Sequence, residues 1–247
     1  MSDGYLTVES AMTDGLRALG LDGVDIAAFR VYYDALVFEN EHQNLTTITA
    51  EPEVASLHFL DSLAILPHID RNPRPQLSTV NCQLSIVDIG SGAGFPGLPI
   101  AIARPDYAVT MLDAREKRVD FLRDTIKQLG ITNATATHGR AEEYAAAARE
   151  SFDIAVSRAV ANLRELAELC LPLVKIGGTF LAMKSRGSDA EIAASSNAIA
   201  TLGGAPAEIV DYTLPDGTPR RIVVVRKIAA TPPQYPRRYK KIETQPL

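Results

Sequence analysis

Apolar residues recur at two different spacings along this chain, and the change of spacing divides it into regions. Near the N-terminus they follow the i, i+3, i+4, i+7, i+8 spacing of one helix face, at Phe29, Tyr32, Tyr33, Leu36 and Val37. A similar spacing recurs over residues 52–65, at Val54, Leu57, Leu60 and Ala64. This pattern predicts a helical appendage over residues 1–70 that needs a partner surface.

The spacing changes beyond residue 83. Residues 71–83 are rich in Pro, Asn and Ser without an apolar period, so they are predicted to form a linker. After it, short apolar runs alternate with amphipathic segments over 117–129 and 162–174. The runs predict strands over 84–89, 108–112, 134–137, 152–156 and 179–183. Strands separated by helices of this length predict a parallel sheet with right-handed crossovers.

The end of the chain has a different pattern. Residues 208–214 and 221–228 flank a Pro215-Asp216-Gly217 turn, which predicts an antiparallel hairpin. Five parallel strands closed by a hairpin are typical of a methyltransferase sheet, whereas a dehydrogenase sheet would continue in parallel. We therefore predict a Rossmann-like α/β domain with a mostly parallel, seven-stranded sheet over residues 84–230. A tail over residues 231–247 follows it.

A glycine-rich loop leaves the first predicted strand, with the sequence Asp88-Ile89-Gly90-Ser91-Gly92-Ala93-Gly94-Phe95-Pro96-Gly97. Glycine permits a tight strand-to-helix turn and lets a ligand approach the main chain. Asp113 ends the second strand 23 residues beyond Gly90, where a carboxylate can accept both ribose hydroxyls of an adenosine. The loop and Asp113 together indicate an adenosine-containing cofactor.

The spacing of the glycines bears on which cofactor this is. The dinucleotide pattern GxGxxG would require glycine where this chain has Phe95, and that pattern serves a pyrophosphate. The GxGxG spacing of Gly90, Gly92 and Gly94 suits S-adenosylmethionine, which carries no phosphate. A methyltransferase is therefore favoured over a nicotinamide or flavin enzyme. Glycines that serve only a tight turn remain the alternative.

Charged residues follow the later strands at the same predicted edge of the sheet. Glu142 follows the third strand and is placed to bond an adenine amino group, while Arg158 and Lys184 follow the fourth and fifth. Salt bridges to Asp113 or Glu142, or simple solvation, are the alternative interpretations of the two cations. The chain has no motif that holds an exocyclic amine and no Pro-Cys nucleophile. N7 of guanine needs neither, since its lone pair is free and catalysis reduces to alignment and desolvation.

Composition narrows the class of protein. The 247 residues are 46% hydrophobic with a net charge of -5, which argues against a non-specific nucleic-acid coat. Eight basic residues and one acidic residue nevertheless lie between Gly217 and the C-terminus, which suggests that this end meets a polyanion. Cys82 and Cys170 cannot form a disulfide scaffold or a four-cysteine zinc site. Without a signal-like N-terminus or an 18-residue apolar run, we expect a cytoplasmic protein with no membrane partner.

The ordered motifs of the chain resemble the bacterial glucose-inhibited division protein B family over most of its length. The matching stretches are Asn44-Leu45-Thr46, His58-Phe59-Leu60-Asp61-Ser62-Leu63, 88–97, Lys117-Arg118, Ser157-Arg158-Ala159, Met183-Lys184 and Tyr235-Pro236-Arg237-Arg238. The resemblance implies a class I methyltransferase that uses S-adenosylmethionine to modify N7 of guanine 527 in 16S ribosomal RNA of the small subunit. The chain departs from the family at Leu57, where arginine is common, and after Arg238, where Pro-Gly is usual.

The resemblance and the motifs together give a set of expected site residues. Cofactor binding is expected at Gly90, Gly92, Gly94, Phe95, Asp113, Ala141, Glu142 and Arg158. Arg158 and Lys184 are the candidates for the methyl-transfer end. RNA contacts are expected at Arg186, Arg237, Arg238, Lys240 and Lys241. His58 and Asp61 are interpreted as an interdomain hydrogen-bonding pair, and no metal is expected.

Three functions remain open from the sequence. The first is the ribosomal RNA enzyme, expected to act as a monomer. The second is a methyltransferase that acts on a small molecule or a protein. The third is a non-catalytic RNA-binding or assembly factor that retains the fold.

Overall fold

The computed structural model of the chain describes residues 7–71, 83–158 and 161–247. Its centre is a seven-stranded sheet in the order β3-β2-β1-β4-β5-β7-β6. The strands are β1 (Leu84–Ile89), β2 (Tyr107–Asp113), β3 (Ala134–His138), β4 (Phe152–Arg158), β5 (Val174–Ser185), β6 (Glu208–Thr213) and β7 (Pro219–Arg226). The first five run parallel, and β7 lies antiparallel between β5 and β6. The predicted fold class is confirmed.

Helices cover both faces of the sheet, and short π-helical and 3₁₀ turns extend two of them. The π-helical turn spans Ala55–Leu60 and the 3₁₀ turn spans Leu171–Leu173. The α-helices are α1 (Val8–Leu19), α2 (Ile26–Asn40), α3 (Glu51–Val54), α4 (Asp61–Leu63), α5 (Leu66–Asp70), α6 (Gly97–Ala103), α7 (Glu116–Leu129), α8 (Ala141–Ala147), α9 (Leu163–Cys170), α10 (Asp189–Ala194), α11 (Ser196–Thr201) and α12 (Tyr239–Thr244).

The central strands are buried on both faces. Five of the six residues of β1 are buried, as are all seven residues of α6 beside it. Strands covered on both faces have continuous apolar runs, which is why a short run such as 84–89 was sufficient to locate β1. The parallel pairing places the carboxyl ends of β1, β2 and β4 at one edge, where Ile89 pairs with Leu112 and Arg158 pairs with Met183 on β5.

The N-terminal region is helical, as predicted, and the partner surface that it needs is the sheet itself, on which its helices form a layer. Phe29, Tyr32 and Leu36 are fully buried and share one apolar cluster with residues of β1, β2 and α6. The second predicted helix, 52–65, is interrupted, because the π-helical turn widens the backbone between α3 and α4. This turn lies directly beside the functional edge described below.

The predicted linker and the predicted C-terminal tail differ in what the structure describes of them. The linker, 71–83, lies outside the described residues except at its two ends. The C-terminal segment, residues 231–247, is packed against α9 and contains the short helix α12, whose Ile242 is fully buried. Within the described ranges, the helices are too short or too polar to cross a membrane.

Candidate functional site

The glycine loop forms one wall of a cleft of about 560 Å³ at the carboxyl edge of the sheet. That volume is in the range of small-molecule and cofactor sites. Gly90 and Gly92 have φ angles of 71° and 58°, a region that side chains disfavour, and both line the cleft. The backbone N–H groups of Gly90 and Ser91 donate to the carbonyl of Leu112 at 2.8 and 3.2 Å, which fixes the loop to β2.

Gly94 has a different role from the other two loop glycines. It does not line the cleft, and its φ angle is 106°. A Cβ at this position would lie 2.6 Å from Oη of Tyr32 and 2.8 Å from Cδ2 of Leu122. Glycine here allows the loop to pack under α2 and α7, and cofactor contact at Gly94 stays a prediction.

Asp113 is held at the centre of the cleft wall. Its side chain is buried, and its Oδ2 accepts the N–H of Gly92 at 2.9 Å while Oδ1 accepts the N–H of Arg115 at 2.9 Å. Arg118 lies 3.6 Å from Oδ2. An ionised carboxylate has about four acceptor sites, so two remain for hydroxyl groups of a ligand. The structure thus orients Asp113 toward the cleft as the sequence predicted.

A second carboxylate, Asp88, lies beneath the loop. One of its oxygens accepts the N–H of Gly97 at 2.9 Å, and the other has no hydrogen-bond partner among the described residues, although the side chain is fully buried. Burial raises the pKa of Asp88 to about 7. The loop therefore has a rigid polar support on its inner side, where an unpaired oxygen is costly.

Ala141 and Glu142, the two residues expected near adenine, lie side by side at one end of the cleft. Ala141 and Glu142 form the first turn of α8, and both line the cleft. Leu169 of α9 and Tyr239 of α12 line the same end. The guanidinium of Arg140 lies over the ring of Tyr239, 5.4 Å from its centroid. This end therefore combines an apolar surface, an aromatic ring and a carboxylate.

The opposite end of the cleft is built around Arg158. Its guanidinium donates to the carbonyl of Leu57 at 2.9 Å and to Oδ2 of Asp61 at 3.1 Å. It also lies over the ring of Phe95, 4.8 Å from the centroid. Arg158 thus connects the end of β4 to the π-helical turn and α4. Leu57 contributes its backbone carbonyl to this connection.

His58 completes this end of the cleft. Its ring stacks on Phe95 with centroids 4.6 Å apart, and its Nε2 is 2.8 Å from Oγ1 of Thr46. Burial and the charge of Arg158 lower the pKa of His58 to about 4, so the ring is neutral near pH 7.

Asp61 has a supporting position behind Arg158. Besides the bridge to Arg158, its Oδ1 accepts the hydroxyl of Tyr212 at 2.8 Å and lies 3.4 Å from Nε of Arg220. The carboxylate therefore joins α4 to β4 and to the C-terminal hairpin. No cluster of three or more His, Cys, Asp or Glu residues suited to a metal ion occurs in ranges 7–71, 83–158 and 161–247.

The structure corrects the expected placement of Lys184. Its Nζ donates to the carbonyl of Ala161 and to Oε1 of Glu191, both at 2.7 Å, and it does not line the cleft. Lys184 lies near the carboxyl end of β5, at the expected edge, but Glu191 of α10 binds its ammonium group. The alternative interpretation of a salt bridge was the right one, with a different acidic partner.

The expected RNA-binding residues fall into two groups. Arg237 is engaged inside the protein, because it makes a two-point salt bridge, 2.6 and 2.8 Å, with the fully buried carboxylate of Glu168. This position corrects its expected role, since its guanidinium fixes the C-terminal segment to α9. Arg186 is largely exposed, 3.6 Å from Asp211. The remaining exposed cations are Arg238, Lys240 and Lys241.

Sequence reasoning missed part of the cleft lining. Leu45, Thr46 and His58 belong to stretches that carried the family resemblance, so a signal for them was present. Arg118 also belongs to such a stretch. Tyr239 had no signal, because only the folding of the C-terminal segment brings it to the cleft.

Comparison with known protein families agrees with this geometry. The family model for GidB, described as rRNA small subunit methyltransferase G, matches residues 25–218. The chain belongs to this family. A relative of the same description from Levilactobacillus brevis is 43% identical over 240 residues, which cover 93% of this chain and 96% of the relative. Another from Desulforamulus reducens is 44% identical over 243 residues, covering 96% of each chain. The predicted family is confirmed.

Solved structures with low sequence identity to this chain share the fold. A SAM-dependent O-methyltransferase from Thermotoga maritima has a TM-score of 0.52 at 16% identity, over 80% of this chain and 72% of that protein. TrmN from Thermus thermophilus has a TM-score of 0.51 at 18% identity, over 68% and 48%. These matches support the fold class, and the family and fold agree with the cofactor that the glycine loop predicted.

Proposed function

We propose that the protein transfers a methyl group from S-adenosylmethionine to N7 of a guanine, position 527, in 16S ribosomal RNA of the small subunit. The observation that carries the proposal is the carboxylate of Asp113, fixed by the loop N–H of Gly92 and facing the cleft with acceptor sites to spare. The family to which the chain belongs supports ribosomal RNA as the substrate class.

The residues of the cleft fit this cofactor. Asp113 can accept the ribose hydroxyls, and Glu142 can accept the amino group of adenine beside the apolar surface of Leu169. The open approach to Gly90 and Gly92 allows a ligand to contact the main chain. When bound, S-adenosylmethionine supplies an electrophilic methyl group on a sulfonium centre.

The end of the cleft near Phe95 determines which acceptor chemistry is compatible. Among the described lining residues, the carboxylates are Asp113 and Glu142, and both are assigned to the adenosine. His58 is the nearest titratable base, and burial and Arg158 keep its pKa low. A weak base suits an acceptor that needs no deprotonation, and N7 of guanine is such an acceptor. Arg158 is a positioning residue here, because it holds the segment around Leu57 and Asp61 at the cleft.

RNA would approach over the exposed cations near the same edge. Arg186, Arg238, Lys240 and Lys241 are exposed and would contact phosphates, with an affinity that falls as salt increases. A target base must leave its stack to reach the cleft, as other enzymes that modify bases require. Binding energy at the cations would offset part of that cost.

The test is methyl transfer to small ribosomal subunits from a strain that lacks this gene. With isotopically labelled S-adenosylmethionine, mass spectrometry of the RNA should find one labelled 7-methylguanosine at position 527. Label in protein or in a small molecule would identify the second candidate substrate class and refute ribosomal RNA. Binding of subunits without transfer would support a non-catalytic factor and refute the enzyme.

Asp113→Ala should weaken binding of S-adenosylmethionine at least about 100-fold, because two hydrogen bonds to a charged group, at about 1.5–3 kcal/mol each, together contribute about 3 kcal/mol or more. Asp120→Ala is the matched control, since Asp120 lies on α7 with an exposed side chain paired to Arg123. Calorimetry should show wild-type affinity for this control. Equal affinity of the Asp113 variant and the wild type would remove the basis of the proposal.

A further inference from the structure

The C-terminal segment contributes an aromatic ring to the cleft. Tyr239 is the first residue of α12 and lines the cleft together with Leu169, Arg140 and Glu142. Arg140 lies over its ring at 5.4 Å, so the ring and the guanidinium form one layered unit at the adenosine end. The side chain is partly buried, and this burial raises the pKa of its phenol, which keeps the hydroxyl neutral.

Several contacts fix the position of this ring. Ile242, one turn further along α12, is fully buried in the cluster that includes α9. Arg237 binds the buried carboxylate of Glu168 immediately before the helix. Arg149 donates to the carbonyl of Tyr235 at 2.7 Å. The segment is therefore attached on both sides of Tyr239.

Positive charge flanks Tyr239 in the same segment. Arg238, Lys240 and Lys241 are exposed and flank Tyr239 in sequence. A polyanion bound to these residues would contact the helix whose ring lines the cleft. A ligand at one of two sites that share one rigid element changes affinity at the other when it shifts that element.

We propose that Tyr239, backed by Arg140, binds the adenosine part of the cofactor, and that it couples occupancy of the cleft to polyanion binding on Arg238, Lys240 and Lys241. The inference rests on the proposed function and adds a cofactor residue from outside the glycine-loop and strand-end motifs. A flat aromatic base is the ligand chemistry that such a layered ring and guanidinium favour.

The first test is the affinity for S-adenosylmethionine and S-adenosylhomocysteine, measured by calorimetry. Tyr239→Ala should weaken both by about fivefold, whereas Tyr239→Phe, which keeps the ring, should remain within about twofold of the wild type. Tyr33→Ala is the matched control, because Tyr33 also lies under an arginine, Arg30 at 5.2 Å, but outside the cleft. It should bind both ligands as the wild type does. Unchanged affinity of Tyr239→Ala would overturn the inference.

The second test measures coupling. Equilibrium dialysis of labelled S-adenosylhomocysteine, with and without small subunits from the deletion strain, should show a changed affinity for wild type. The ratio of the affinity measured with subunits to the affinity measured without them should approach one in Tyr239→Ala. A ratio in Tyr239→Ala equal to that of the wild type would overturn the coupling. Circular dichroism melts should show both Tyr239 variants folded.

The Asp113→Ala variant separates this inference from the proposed function. If it loses cofactor affinity while Tyr239→Ala does not, the cleft is correct and the role of Tyr239 is refuted. If neither variant loses affinity, the cleft itself is not the cofactor site and both proposals fail.

Discussion

Replacing Gly94 by alanine tests whether the third loop glycine serves packing or the cofactor. The new Cβ would lie 2.6 Å from Oη of Tyr32, 2.8 Å from Cδ2 of Leu122 and 3.2 Å from Cβ of Leu98. Tyr32 is fully buried and donates its hydroxyl to the carbonyl of Ala93, so it has little freedom to move. Overpacking costs about 1–3 kcal/mol, and the positive φ angle costs about 1–2 kcal/mol. Gly94→Ala should therefore lower the free energy of unfolding by about 2–5 kcal/mol.

The matched comparison is Gly92→Ala. A Cβ at Gly92 would have Nη1 of Arg118 at 3.7 Å as its nearest neighbour, so only the backbone strain applies, about 1–2 kcal/mol. Because Gly92 lines the cleft, its methyl group should weaken cofactor binding. Urea denaturation gives the stability of each variant, and calorimetry gives cofactor affinity. The reasoning is refuted if Gly94→Ala has the wild-type denaturation midpoint, or if Gly92→Ala is the less stable of the two.

Two further predictions follow from the charged residues. Arg237→Ala should lower the free energy of unfolding by about 3 kcal/mol, because it leaves the buried carboxylate of Glu168 without its cation. Arg238→Ala should change the free energy of unfolding by less than about 0.5 kcal/mol, but it should weaken subunit binding and reduce the salt dependence of that binding. Equal stability of the two variants in urea would contradict the structural role of Arg237. The pKa of His58 is about 4 in the fold against an ordinary value of 6.5, so the stability it contributes is present above pH 6.5 and is lost as the pH falls toward 4. His58→Gln should flatten the measured dependence of unfolding free energy on pH in that window, and an unchanged slope would refute the low pKa.

The sheet was predictable because each strand had a local signal. Buried parallel strands are continuously apolar, and glycines or turns end them, so β1 to β4 begin and end within one or two residues of the predicted bounds. The fifth strand was predicted as 179–183 but spans Val174–Ser185. The prediction began too late because Gly177 and Gly178 interrupt the apolar run, and the pairing with β7 starts only at Thr179. The interrupted helix over 52–65 had no signal, because the hydrophobic period hardly distinguishes an α-turn from a π-turn.

The site was predictable where function depends on backbone shape and strand order. Gly90, Gly92 and Asp113 follow directly from a strand-to-helix turn beside a second strand end. The positions of Lys184 and Arg237 were not predictable, because a cation near an edge binds whichever carboxylate the tertiary fold brings close. Lys184 binds Glu191 and Arg237 binds Glu168, and each carboxylate is separated from its cation in sequence. The spacing of residues contains no information about such pairs.

Arg158 shows why the helical layer and the methyltransferase sheet act as one unit. Its guanidinium sits at the end of β4, where reaction chemistry is expected, yet two of its hydrogen bonds go to Leu57 and Asp61 of the N-terminal layer. Asp61 also binds Tyr212 of the hairpin, so one carboxylate fixes three parts of the chain around the cleft. A buried pair of this kind is weak evidence for stability, since its desolvation cost offsets much of its attraction. Its geometric effect is clear, however, because it holds the π-helical turn against the end of β4, beside the place where His58 stacks on Phe95.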